Sequence, residues 1–213
     1  IDLKFANLEG ANLEGANLEG VNFEGAVLKS SNLKFANLEG ADLRNINLSQ
    51  ANLRGANLTG ADLTGANLVF SNLILAEMNR VDLKDADLSQ ANLSGAYLDQ
   101  ANLDQANLKG VDLRGANLKE ANLKRANLNQ VNMRGVNLTE ADLTGVDLSG
   151  VDMNGANLKG ANLKGANLTR VNLTGAYLKN ADLNEANLDR ANLTEANMEN
   201  IRNLDSAIKC KTI

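Results

Sequence analysis

Residues 6–20 read ANLEG-ANLEG-ANLEG, and the same phrase, small–Asn/Asp–Leu–x–x, governs the chain from Ile1 to Asn200. Forty units, Ile1–Phe5 through Ala196–Asn200, follow one another without an insertion, deletion or frame slip. Leu holds thirty-five of the forty middle positions, and Phe23, Met78, Met133, Met153 and Met198 hold the rest. A fixed short period implies one quasi-one-dimensional array, which overrides the one or two globular domains that 213 residues would otherwise suggest.

Neither common secondary-structure period fits. A helix places apolar residues 3.6 apart and a flat strand alternates every two. Within each unit the first and third residues are apolar, as in Ala6 and Leu8, so three residues are strand-like with both apolar side chains on one face. The last two must turn a corner so that the next short strand can repeat the pattern. Four corners close a square. Middle Leu residues then meet at the axis, while the first position admits only something small: Ala in most units, and Val at 21, 81, 111, 131, 136, 146, 151 and 171. Burying one Leu is worth about 1.5–3 kcal/mol before conformational entropy is subtracted, so a charge at Leu103 or Leu108 should break the rod.

Composition agrees with a narrow, uniform interior. Aromatic residues make up 3% of the chain, and Trp, His and Pro are absent. Without Pro, every residue keeps the backbone N–H that a continuous ladder requires. The net charge of −5, from 21 basic and 26 acidic residues, suits a surface of mixed sign and is a weak field for steering nucleic acid or a cationic partner. The single cysteine, Cys210, excludes an intrachain disulfide framework and has no His to activate it.

These units resemble those of the pentapeptide repeat proteins, over residues 1–200. The resemblance implies an all-β fold, a right-handed quadrilateral β-helix of about ten four-pentad coils. At about 4.8 Å per coil the rod would be about 48 Å long. Residues 201–213 lose the period. Ile201, Leu204 and Ile208 have helix-like spacing, which predicts a short C-terminal cap or tail over the last coil.

All 18 glycines occupy the fifth position, and one corner column holds Gly15, Gly55, Gly95, Gly115, Gly135, Gly155 and Gly175. A type II turn needs a positive φ at its third residue, so type II turns are predicted there. Corners carrying Gln100, Glu120, Arg125 and Glu140 are expected to use turns without that strain. The second-position Asn residues are expected to stack into ladders or to cap the adjacent turn.

Departures from the repeat are the informative positions. Asp2, Asp42, Asp62, Asp82, Asp142 and Asp182 share one column, with Asp42, Asp62 and Asp82 on consecutive coils. They read either as turn acceptors neutralised by Lys4, Arg44 and Lys84, or as an acidic stripe for a basic partner or divalent cation. Val69, Phe70, Ile74 and Leu75 are apolar where solvent is expected, and Leu75 shares a corner with Phe35, two coils away across Gly55. Such a patch marks a contact surface unless long neighbouring side chains cover it. Tyr97 and Tyr177 replace Asn on one face and read as exposed platforms, with Glu77 next to Tyr97 in the column. Ser31 and Ser71 point inward, where each hydroxyl is expected to bond the backbone.

Catalysis has little to work with. The usual general base and commonest metal ligand is missing, carboxylates on a convex rod lack a concave pocket, and no zinc or nonapeptide calcium signature is present. The sequence therefore reads as a non-enzyme with no cofactor and no metal site: a scaffold binding a protein partner on a flat face around Phe35, Val69, Phe70, Ile74 and Leu75. Direct nucleic-acid binding is not expected. Some pentapeptide repeat proteins imitate DNA and bind gyrase, and the resemblance supplies that alternative. Lys34, Arg54, Arg114 and Arg134 beside the Asp column argue against it. Ice-surface binding is remote, because Thr59, Thr64, Thr139, Thr144, Thr169 and Thr174 form no continuous column. No run of eighteen apolar residues exists that would span a membrane. The chain opens mid-repeat at Ile1 without Met, as a trimmed or processed product would. The compartment stays open, and the lack of a visible targeting segment favours the cytoplasm over a periplasmic or lumenal location. The uncovered first coil leaves end-to-end homodimerisation open.

Overall fold

A computed structural model describes residues 1–208, so Cys210 and the rest of 209–213 lie outside the described residues. The second residue of each unit pairs in parallel with the residue twenty positions on, as in Asn32↔Asn52↔Asn72↔Asn92. Four such bridge columns run along the molecule, one per face, giving a square solenoid of coils 1–20, 21–40 and so on to 181–200.

Each unit uses its backbone groups in the same way. Leu53 N–H donates to the Asn72 carbonyl at 2.7 Å, Gly55 N–H to Ile74 at 3.0 Å, and Asn52 N–H to Ser31 one coil back at 2.9 Å. The fourth bond closes the corner: Ala56 N–H donates to the Leu53 carbonyl at 3.0 Å. That bond, with a positive φ at the third turn residue, is the sign pattern of a type II turn.

The corner geometry corrects one expectation. Every fifth position, glycine or not, has φ between +54° and +70°. Gln100, Glu120, Arg125 and Glu140, expected to avoid that conformation, have φ of 58°, 58°, 57° and 59°. A non-glycine residue in the left-handed region costs about 1–2 kcal/mol. The corners of Gln100, Glu120 and Glu140, however, are bonded to the corners one coil above and below, and that of Arg125 to the corner below. A turn of another type would break those bonds, and the ladder wins.

Inside, Leu33 through Leu188 and the small first-position residues form one continuous buried core. The Asn residues do what their chemistry suggests. Asn37 Oδ1 accepts from Glu39 N–H at 3.1 Å, and Asn122 Nδ2 donates to Asn102 Oδ1 one coil back at 3.1 Å. Ser31 and Ser71 do not behave as expected: both are buried, and neither hydroxyl has a hydrogen-bond partner among the described residues. The backbone around them is already saturated by the ladder.

Over the described residues 201–208 the chain keeps to the coil path instead of forming a regular helix. Arg202 pairs with Asp182 and Ile208 with Asn187, and only Leu204–Ser206 makes a 3-10 turn. Ser206 Oγ accepts from Glu185 N–H at 3.1 Å, taking over a corner of the last coil.

The ladder has one open seam, between coils 121–140 and 141–160. The amides of Arg125, Leu128, Gln130 and Asp147 have no acceptor among the described residues, and the Asn127↔Asp147 bridge is missing from its column. A groove of about 380 Å³ runs beside the seam between Gln130–Asn132 and Ser149–Asp152.

Candidate functional site

Five of the six outward apolar turn residues gather on and beside one face, the one carrying Asn32, Asn52 and Asn72. Phe35 (58% exposed) and Leu75 (48%) lie on its trailing corner, and Phe70 (61%) on the leading corner of the same coil as Leu75. Val69 and Ile74 are half-buried. The fold puts them outside for a simple reason: fourth and fifth residues form the turn, whose side chains cannot reach the axis.

The corner column alternates large and bare. A Cβ on Gly55 would come within 2.7 Å of the Phe35 ring, and one on Gly95 within 2.8 Å of Leu75 Cδ2. Phe35 therefore lies flat over Gly55 and Leu75 over Gly95, which joins them into a strip along the rod. Phe5 does the same over Gly25 on another corner, an exposed aromatic that the sequence reading passed over. Lys34 Nζ sits 4.8 Å from the centre of the Phe35 ring, a cation–π contact. Period counting could not reveal these contacts, because they depend on which way a corner side chain leans.

The Asp column is engaged with its own surroundings. Asp42 Oδ1 accepts from Arg44 Nε at 2.8 Å and Oδ2 from Nη2 at 2.6 Å; the Arg44 guanidinium holds the Asp42 carboxyl below its usual range. The same guanidinium reaches Glu24 at 3.3 Å and Asp62 at 3.8 Å. Asp62 accepts from Thr64 Oγ1 at 2.6 Å, and Asp82 from Asn102 Nδ2 at 3.0 Å. Lys4 pairs with Glu24 at 2.7 Å. Each of the three central Asp residues also accepts from the backbone two residues on, at Arg44, Thr64 and Lys84.

Other departures stay separate. Tyr97 is exposed and Tyr177 half-buried, four coils apart on their column. Asp104 is the one buried acid among the described residues, and Arg125 Nε donates to it at 2.9 Å with Nη2 also in contact. Among the described residues no group of three or more His, Cys, Asp or Glu is placed to hold a metal ion. No helix among them is long and apolar enough to cross a membrane.

Comparison with known proteins gives a consistent picture. The family model for pentapeptide repeats matches in successive segments: residues 6–45, 41–80, 76–115, 116–155, 137–175 and 172–202. Among solved structures, the chain is similar to HetL, a pentapeptide repeat protein involved in heterocyst differentiation regulation from the cyanobacterium Nostoc sp. strain PCC 7120. The two are 32% identical with a TM-score of 0.54, over 98% of this chain and 84% of HetL. It is also similar to full-length QnrB1, a plasmid-mediated fluoroquinolone resistance protein, at 19% identity and a TM-score of 0.50, over 95% of this chain and 90% of QnrB1. The second likeness concerns the fold alone. No curated protein matches the sequence.

Proposed function

The chain belongs to the pentapeptide repeat family, with its right-handed quadrilateral β-helix, and on that footing we propose that it is a non-catalytic interaction rod docking a protein partner on the Phe35–Phe70–Leu75 face. One observation carries the reading: three large apolar turn side chains, Phe35, Phe70 and Leu75, stand exposed on and beside one face within three coils, whereas Phe5 is a single exposed turn aromatic on another corner. Leaving that area in water is a standing cost that a partner removes. The central acids of the Asp column have less to offer, since their oxygens already cap turns and meet Arg44, Thr64 and Asn102.

The test is a photo-crosslinking side chain placed at Phe70 in the full chain, with and without Leu75→Asp. A discrete adduct that disappears with the second substitution supports docking there. Adducts indifferent to Leu75→Asp argue against it. Imitation of DNA is the second reading, and Arg44, Arg114 and Lys124, each paired with an acid, interrupt the negative surface it needs. Inhibition of gyrase supercoiling at stoichiometric protein would restore that reading.

A further inference from the structure

We infer that the Phe35–Leu75 face receives an acidic segment of a partner, one whose carboxylate meets Arg54 while flanking apolar residues cover Phe35, Ile74 and Leu75. This rests on the docking reading above and adds the partner's chemistry. The first ground is charge. The face formed by residues 31–35, 51–55, 71–75 and 91–95 contains no Asp or Glu, although the chain has 26 of them. It does contain Lys34 and Arg54. An acidic protein thus shows an acid-free, cationic, apolar face over four coils.

The second ground is the state of Arg54. Arg44, Arg114 and Arg125 are each bound by a nearby carboxylate, of Asp42, Asp112 and Asp104. Exposed Arg54 has no carboxylate within 4.0 Å among the described residues. It lies one coil from Ile74 in its column and one position before Gly55, over which the Phe35 ring is laid. Lys34, below it, meets Glu14 at 3.5 Å and the Phe35 ring. A wholly apolar occupant would strip water from the Arg54 guanidinium and return nothing, and a basic one would be repelled. An occupant that supplies a carboxylate returns a charge-assisted, two-pronged bond inside an apolar rim.

The third ground is length. Phe35 and Leu75 lie two coils apart, about 10 Å. Draped over Gly55 and Gly95, they give a strip about 15–20 Å long, enough for a short peptide but not a broad interface. The aliphatic members, Ile74 and Leu75, favour a protein segment over a nucleic acid, which would use only the Phe35 ring and the cations.

The experiment is fluorescence anisotropy on the full chain with three labelled peptides of identical Leu spacing, their central pair Glu, Gln or Lys, and with a thymidine oligonucleotide. The Glu peptide should bind about tenfold more tightly than the Lys peptide, and added salt should narrow the gap. Arg54→Glu should reverse the order, and Arg54→Gln should abolish the preference. Thermal melts of both variants confirm an intact rod. Equal binding of all three peptides, an unchanged order in Arg54→Glu, or preference for the oligonucleotide overturns the inference. If Phe35→Ser and Leu75→Ser remove binding while Arg54→Glu does nothing, docking survives and acidic selectivity falls. If the two Ser variants also change nothing, both fall.

Discussion

The face that carries Ser31, Ala51 and Ser71 and the neighbouring one that carries Ala126 and Val146 contain opposite errors. In the first, two hydroxyls are buried without partners, yet the ladder is whole: Asn52 N–H donates to the Ser31 carbonyl at 2.9 Å and Asn92 N–H to Ser71 at 3.0 Å. In the second nothing polar is stranded inside, yet the ladder bonds of Leu128, Gln130 and Asp147 are missing, and that of Arg125 at its leading corner. Polarity costs energy without demanding room, since Ser nearly matches Ala in size. Volume is another matter. Val146 stacks between Ala126 and Ala166, while Val131 and Val151 stack in the next first-position column. Overfilled cores move backbone, and here the turn bonds at Val131 and Val146 stretch to 3.3 Å. One large column alone is tolerated, for the ladder at Val111 and Val171 is intact. The seam needs two adjacent columns overfilled together. Arg125, drawn toward Asp104 in the coil below, also holds that corner away from the coil above.

The harshest way to break the comparison is to put a charge into the regular stack. Leu103 is fully buried, and Leu103→Asp strands a carboxylate on the axis at a cost of several kcal/mol. Since each coil is held only by its neighbours, the expected result is cooperative loss of the β signal in far-ultraviolet circular dichroism. A variant that melts like the parent protein would show that the axis is not the main source of stability.

A gentler pair of variants isolates the steric cause. Val81, also fully buried, lies in intact ladder, so Val81→Ala should cost about 2 kcal/mol through lost packing. Val146→Ala removes the same atoms but relieves the crowding, and should cost less than half as much. Hydrogen exchange supplies the matching local readout. In the parent protein Leu128, Gln130 and Asp147 amides should exchange at least about 30-fold faster than Leu108, Gly110 and Asn107, their counterparts one or two coils below. Val146→Ala should slow them. Equal costs for the two substitutions, with unchanged exchange, would remove volume as the explanation.

Ser31→Ala and Ser71→Ala sharpen the comparison from the other side. Each removes an unsatisfied buried oxygen without creating a cavity, and should stabilise the rod by about 1 kcal/mol, read from denaturant unfolding. Neither should alter exchange at the seam.

How much of this was legible in the sequence follows from what a period can encode. The coil, the inward Leu column and the Asn ladder depend on spacing alone, and Leu8, Asn37 and Gly55 read correctly one unit at a time. The corner geometry did not, because Gln100 and Glu120 take their conformation from neighbours twenty residues away. The seam required comparing Val146 with Ala126 and Ala166 and noticing that Val131 and Val151 crowd beside it. The residues were visible; their joint volume was not weighed. For the candidate face, the sequence singled out Phe35, Phe70 and Leu75. The lean of Phe35 onto Gly55 and the missing partner of Arg54 depend on side-chain placement.

The smallest expected effect concerns acid, and it separates charged faces from the open one. Asp42, Asp112 and Asp182 are held below the ordinary carboxylate range by hydrogen bonds from Arg44, Arg114 and Asn203. Burial pushes Asp142 up, but hydrogen bonds from Lys124 and Thr144 outweigh it, and its net shift is also downward. None of the four is on the 126–130/146–150 face. A folded pKa below the unfolded one means the contribution is fully present above the ordinary value of 3.8 and is lost as pH falls through it and below. These carboxylates are half-buried, but Arg44, Arg114 and Lys124 beside them are more open to water, which screens the pairs, so each is worth about a few tenths of a kcal/mol. The melting temperature should therefore be flat from neutral pH to about 5 and decline below about 4, more gently in high salt. Asp42→Asn keeps the turn acceptor, as Asn22 and Asn102 do in the same column, while removing the titrating group. Calorimetry on that variant should show a shallower acid decline. An unchanged slope would mean that acid acts through other carboxylates, with Asp112, Asp142 and Asp182 the next to replace.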